Sequence, residues 1–214
     1  MLLQRFRKEG SVSEKILMSA VILAGGQSSR MGRDKALLPF GPGTLLEFLA
    51  DAVSSIFCET LIVVNEKQKC AGLDLGGAGI YEDLFKNRGP LAGLYTGLSY
   101  AQHQASCVLT CDMPFLDEKV LREMASVWQE GYDVICLEDS EGIAQPFPAI
   151  YLRSCKYLIS LLLERREHSM KRLFEVATVK TFTLPQETKK VLMNMNTPED
   201  YARVRKEKKE WIKE

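Results

Sequence analysis

The segment Val21-Ile22-Leu23-Ala24-Gly25-Gly26-Gln27-Ser28-Ser29-Arg30-Met31-Gly32-Arg33-Asp34-Lys35-Ala36-Leu37-Leu38 constrains this chain more than any other. A β-branched apolar run, the mark of a buried strand, empties into a loop carrying three glycines, two serines and several cations, and then returns to an apolar stretch. Glycines expose backbone N–H groups that no Cβ shields, so an anion can lie directly against the main chain. Arg30 and Lys35 add fixed positive charge, and the layout is that of a phosphate cradle. It is neither of the two commonest nucleotide loops. The spacing G-x-G-x-x-G is absent, and no Gly-Lys-Ser/Thr closes the turn. Both findings argue against hydride-transfer enzymes and ordinary ATPases.

Strand and helix patterns alternate after this loop. Helical spacing runs from Leu45 to Phe57, from Leu91 to Gln102, from Asp117 (as N-cap) to Gln129, from Cys155 to Arg166 and from Met170 to Ala177. Between them, strands are predicted at Thr60–Asn65, Ile80–Tyr81, Ser106–Cys111, Tyr132–Leu137, Ala149–Tyr151 and Lys180–Thr183. A last, solvated helix is predicted from Pro198, with Thr197 as its cap. This alternation predicts an α/β protein of three layers, a mostly parallel sheet with helices on both faces. Ligands of such sheets bind beyond the carboxyl ends of the strands. Gly26, Asn65, Asp83 and Asp112 each stand at or just past such an end, four strands delivering one polar group apiece to a common edge.

With 214 residues, the chain has room for one α/β core. Residues 1–18 read as an N-terminal extension before a first strand beginning near Ala20, and residues 19–214 as a single domain. Lys+Arg and Asp+Glu are equal at 28 each, so no global field attracts nucleic acid or an anionic membrane. No apolar run reaches the ~20 residues a spanning helix needs. A cytoplasmic protein is expected. The six cysteines contain no C-x-x-C pair and read as free thiols, mostly buried, and neither His103 nor His168 has a partner at metal-ligand spacing.

Asp112 follows an apolar strand and precedes Met113-Pro114, which stiffens the turn. A carboxylate held there suits Mg²⁺, which takes one or two carboxylates with phosphate oxygens and water. Asp83 leads into Arg88-Gly89-Pro90-Leu91-Ala92-Gly93, and a carboxylate accepts both the N1–H and the exocyclic amine of guanine, a pair that cytosine does not offer. Alternation puts Asn194 and Asn196 on one side of an extended segment.

Taken together, the loop resembles the L-A-G-G-x-S-x-R-M-G-x-D-K signature of nucleotidyltransferases that activate sugars, isoprenoid precursors and molybdenum cofactor. Its double glycine, Arg30-Met31-Gly32 and Asp34-Lys35 are most similar to the molybdenum cofactor guanylyltransferase branch. Gly89–Gly93 resembles the family's G-P-L-A-G element, Cys111–Pro114 its C-D-x-P and Asn194–Asp200 its N-x-N-T-P-E-D. The resemblance implies a Rossmann-like nucleotidyltransferase fold with Arg30, Lys35 and Asp112 as catalytic residues. Leu23, Ala24, Gly25, Gly26, Lys35, Asn65, Asp83, Gly93 and Asp112 would bind nucleotide, and Asp112 would bind Mg²⁺. Gln145, Asn194 and Asn196 would face the acceptor, and Arg166, Lys171 and Arg172 would meet its phosphate. The implied reaction transfers GMP from GTP to molybdenum-bound molybdopterin and releases pyrophosphate. Molybdenum-cofactor biosynthesis proteins and recipient molybdoenzymes are the implied protein partners. Two other functions fit less well. A cytidylyltransferase of the same fold, acting on molybdopterin or on a sugar or polyol phosphate, is disfavoured by Gly26 and Pro90–Gly93. A non-catalytic nucleotide-binding regulator is disfavoured by the intact set Arg30, Lys35 and Asp112.

Overall fold

Eight residues, Ile16–Leu23, form the central strand β1, whose side chains alternate between two apolar layers. Ala20 and Ile22 enter one layer, and Val21 and Leu23 the other, as the period of two requires. The computed structural model describes residues 14–25, 34–86, 88–185 and 190–207. Parallel to β1 on one side lie β4 (Phe57–Val64) and then β5 (Gly79–Glu82), and on the other side β6 (Ala105–Thr110). Next comes β8 (Ala144–Leu152), antiparallel to both β6 and β7 (Val134–Glu138), and β9 (Val179–Phe182) ends the sheet parallel to β7. The order is β5-β4-β1-β6-β8-β7-β9. A separate two-stranded hairpin, β2 (Pro39–Phe40) and β3 (Gly43–Thr44), follows the loop.

Helices cover both faces. Helices α1 (Leu45–Ser54), α3 (Glu118–Ser126) and α6 (Pro198–Glu207) bury side chains in the layer of Ile22, while α2 (Gly89–Tyr100), α4 (Cys155–Glu164) and α5 (Met170–Val176) bury theirs in the layer of Val21. Thr44 and Glu47 close a reciprocal capping box at the start of α1. Asp117 caps α3, accepting from the Lys119 N–H, as its sequence position predicts. Helix α2 lies so close to β1 that a Cβ at Gly97 would stand 2.4 Å from Val21 Cγ1.

The structure corrects three sequence expectations. The helix predicted from Leu45 to Phe57 ends at Ser54, and Phe57 opens β4, three residues before the predicted strand start at Thr60. The first strand begins at Ile16 and not near Ala20, because the Ile16 N–H donates to the Ile56 carbonyl (2.8 Å) and Ile16 pairs with Phe57. Strand β8 is far longer than Ala149–Tyr151. Pro146 and Pro148 hide it from a propensity reading, since proline removes a ladder donor. They are accommodated because the β7–β8 register shifts between Cys136 and Glu138. Four of the six cysteines are buried, and burial pushes the Cys107, Cys136 and Cys155 thiols up to about 12. Among the described residues no helix is long and apolar enough to cross a membrane.

Candidate nucleotide site

Three backbone hydrogen bonds carry the sheet just past its strand ends: Ala24 N–H to Val63 O (2.8 Å), Cys111 N–H to Leu23 O (3.1 Å) and Asp83 N–H to Val64 O (2.8 Å). They fix the exits of β5, β4, β1 and β6, four adjoining strands, into one ledge. With strands ~4.8 Å apart the ledge is roughly 14 Å long. Asp83, Asn65, Gly25 and Asp112 stand along it in that order. Asn65 lies against the main chain of Gly25, where a Cβ would come 3.0 Å from Asn65 Oδ1. Any side chain at position 25 would push that amide away.

At the β6 end, three segments distant in sequence converge. Asp34 caps the short 3₁₀ turn Lys35–Leu37 by accepting from the Ala36 N–H, and so fixes where Lys35 leaves the loop. Lys35 Nζ donates to Asn196 Oδ1 (2.6 Å) and lies 3.8 Å from Asp112 Oδ2. The Lys35 and Asp112 side chains are only 15% and 19% exposed, so little water screens the pair. Thr110 Oγ1 donates to Asp112 Oδ1 (2.6 Å), and the Met195 N–H donates to the Asp112 carbonyl (2.8 Å), seating the asparagine segment on the end of β6. Asn194 and Asn196 are exposed and Met195 is buried, so the predicted alternation holds although this segment joins no sheet.

At the β5 end, Asp83 Oδ1 accepts from the Phe85 N–H (3.0 Å) and from Thr96 Oγ1 (2.9 Å). Half-burial pushes the Asp83 carboxyl above the usual carboxylate range, and these two donors partly oppose the rise. Gly93 opens the space next to it, since a Cβ there would stand 3.9 Å from Asp83 Oδ2. Leu23 lines the same spot, 3.4 Å from that Cβ position.

Gly26 and Arg30 lie outside the described residues. Gln145 is the second residue of β8, where its Nε2 donates to Asp139 Oδ2 (2.7 Å) and to the Ile143 carbonyl (3.2 Å), so both amide hydrogens hold the β7–β8 turn. Arg172 is ion-paired with Glu167 and Glu175, and Arg166 and Lys171 are exposed. None of these four is joined by a hydrogen bond or ion pair to Lys35, Asp112 or Asp83. The turn between α4 and α5, which carries Arg166, does reach the start of α2, where Arg88 Nη1 donates to His168 Nε2 (3.4 Å).

Three participants were given no role by the sequence reading. Thr110 was legible in principle, since it stands two residues before Asp112 and alternation puts both on one side. Asp200 accepts from the Asn196 and Thr197 N–H groups while Thr197 Oγ1 accepts from the Asp200 N–H, and a capping spacing in T-P-E-D signals it. These bonds hold its carboxyl below the usual range. Thr96 has no local signal, because its partners arrive through tertiary packing.

A glycine-led loop after the first strand of a mostly parallel sheet, with a lysine and a carboxylate gathered over adjoining strand ends, defines the nucleotide-binding α/β transferases. The chain belongs to one family within that class. Residues 20–182 match the MobA-like NTP transferase domain. A relative from Carboxydothermus hydrogenoformans, named "Probable molybdenum cofactor guanylyltransferase", is 34% identical over 88% of this chain and 95% of its own. Another from Desulfosudis oleivorans, named "Molybdenum cofactor guanylyltransferase", is 30% identical over 78% of this chain and 81% of its own. In structure the chain is similar to molybdopterin-guanine dinucleotide biosynthesis protein A from Archaeoglobus fulgidus. That match has a TM-score of 0.78 and 21% identity, and covers 90% of this chain and all of the other.

Proposed function

We propose that this protein transfers GMP from GTP to the terminal phosphate of molybdenum-bound molybdopterin, giving molybdopterin guanine dinucleotide cofactor and pyrophosphate. The convergence of Lys35, Asp112 and Asn196 over the ends of β1 and β6 carries the reading, and the names borne by the relatives support this choice of substrates. A phosphate oxygen of the acceptor attacks the α-phosphorus of GTP. The new P–O bond forms as the α–β anhydride bond breaks, and its electron pair leaves on pyrophosphate.

Both reactants are anions, so the barrier lies largely in bringing them together and in holding charge on the leaving group. Lys35 meets the triphosphate with a cation whose place Asn196 fixes, and Arg30, on the same loop, supplies a second. The backbone at Gly25 admits a phosphate that a side chain would exclude. Asp83, Asn65 and Gly93 take the nucleoside end, the Asp83 carboxylate accepting from guanine N1–H and the 2-amine. Asn194, exposed beside Asn196, faces the acceptor, and Gln145 acts there through the turn it holds.

Asp112 would hold a Mg²⁺ ion. Among the described residues no three metal-ligating side chains cluster, and a lone strand-end carboxylate fits an ion that brings phosphate oxygens and water as its other ligands. Such an ion would supply positive charge to the phosphate oxygens. The reading places the reaction in the cytoplasm, and six free thiols fit a reducing compartment.

The test is equilibrium binding of GTP and of CTP, each with Mg²⁺, followed by incubation of GTP with molybdenum-bound molybdopterin and detection of the dinucleotide and pyrophosphate. Tighter binding of GTP and formation of both products are expected. Tighter binding of CTP would transfer the reading to a cytidylyltransferase of the same fold.

A further inference from the structure

Thr96 lies inside α2, one turn past Ala92, and is completely buried. Its hydroxyl accepts from the Leu84 N–H (3.1 Å) and faces two acceptors, Asp83 Oδ1 at 2.9 Å and the Ala92 carbonyl at 3.1 Å. A hydroxyl has one proton to give. The nearer, charged acceptor takes it, since bonds to an ionised group are about twice as strong as neutral ones. The Phe85 N–H holds the same Oδ1 from the other side. Among the described residues no donor reaches Oδ2, which faces the space left open by Gly93. One oxygen of the carboxylate is therefore anchored and the other is presented.

We propose that Thr96 is a positioning residue for base selection: by anchoring Oδ1 it turns the Asp83 carboxylate so that Oδ2 meets a guanine and repels an adenine. The proposal rests on the reading of Asp83 as the guanine acceptor. Guanine offers two donors on the edge that a carboxylate can read. Adenine offers a ring-nitrogen acceptor at the same place, which repels it. Without the hydroxyl Oδ1 keeps only the Phe85 N–H and the carboxylate is held less firmly, the Leu84 N–H loses its acceptor, and the discrimination falls. The triphosphate, held by the loop and Lys35 at the other end of the ledge, is bound as before.

The experiment measures dissociation constants of GTP and ATP, each with Mg²⁺, for the full chain and for Thr96→Val, Thr96→Ala and Thr96→Ser. The expected result for Thr96→Val is about tenfold weaker GTP binding with ATP unchanged, the scale of a lost hydrogen bond to a charged group. Thr96→Ser restores the native ratio to within about twofold. A ratio of two constants measured on one preparation is independent of the folded fraction. Thr96→Ala removes the hydroxyl without placing a second methyl against Asp83, and serves if the valine variant does not fold. Equal weakening of GTP and ATP, or an unchanged ratio in both hydroxyl-free variants, overturns the proposal while leaving Asp83 as the guanine acceptor. No preference for GTP in the native chain overturns that reading of Asp83 and this role together.

Discussion

Replacing Lys35 with methionine keeps most of the length of the side chain and removes its charge, and the contacts with Asp112 and Asn196 make the outcome differ in sign between two measurements. In the native chain Nζ lies 3.8 Å from Asp112 Oδ2 and 2.6 Å from Asn196 Oδ1. At about 4 Å two unit charges interact by about 1 kcal/mol in water and by about 4 kcal/mol at an effective dielectric of 20. The pair is mostly buried, so the lower figure is a floor. A divalent cation approaching Asp112 meets Lys35 as a like charge and is disfavoured by at least that floor. In Lys35→Met the repulsion is gone, and Mn²⁺ binding to the nucleotide-free protein, followed by electron paramagnetic resonance, should tighten by roughly fivefold or more. Turnover should move the other way. The lost cation served the triphosphate and the leaving pyrophosphate, and removal of one such stabilising group costs about 10²- to 10³-fold in rate. Tighter metal with slower chemistry is a combination that general damage to the site does not produce. Metal binding that weakens along with turnover would refute the argument that Lys35 and the metal share the Asp112 carboxylate as competitors.

Asp112→Ala should reduce turnover to background, and its affinity for GTP with Mg²⁺ should match its affinity without, as read by calorimetry. An undiminished Mg²⁺ effect would place the metal elsewhere. Asp83, with its carboxyl raised by burial, binds its proton more readily in the folded chain than in the unfolded one. Its contribution to stability is therefore full at low pH and lost as the pH climbs through the raised carboxylate range. Asp83→Asn removes that loss, so the melting temperature of the variant relative to the native chain should be higher at pH 7 than at pH 4. A constant difference in melting temperature would show that the Asp83 carboxylate bears no net burial cost. Gly97→Ala drives a methyl to 2.4 Å from Val21 Cγ1. Overpacking of this kind costs about 2 kcal/mol, roughly a 4–8 °C fall in melting temperature for a domain of this size. An unchanged melt would mean that α2 stands further from β1 than described.

Much of the ledge was legible because a parallel strand delivers its terminal residue to a predictable edge. Asn65, Asp83 and Asp112 needed only an apolar run of the right length before each of them, and Asp117 and Thr197 needed only capping chemistry. The antiparallel course of β8 was not legible, since Pro146 and Pro148 argue against a strand until the shifted register of β7 makes room for them. Gln145 read as an acceptor-facing amide, yet its hydrogens go to Asp139 and Ile143. Arg172 read as a cation for phosphate, yet Glu167 and Glu175 hold it. In both cases the competing partners were neighbours in sequence, and only their geometry showed that they were engaged.

What the sequence determined by itself is local in origin: the alternating strands and helices, the glycine-rich anion loop, the capped helix starts and the residues standing at strand ends. Each follows from backbone sterics or from a side-chain period readable within about a dozen residues. What the tertiary structure alone decided is which of those residues meet. Lys35 and Asn196 are 161 positions apart in the chain and 2.6 Å apart in space, and Thr96 reaches Asp83 only because α2 packs against β1 closely enough to require Gly97. No local pattern encodes those distances, because they are set by how the two apolar layers pack against the sheet.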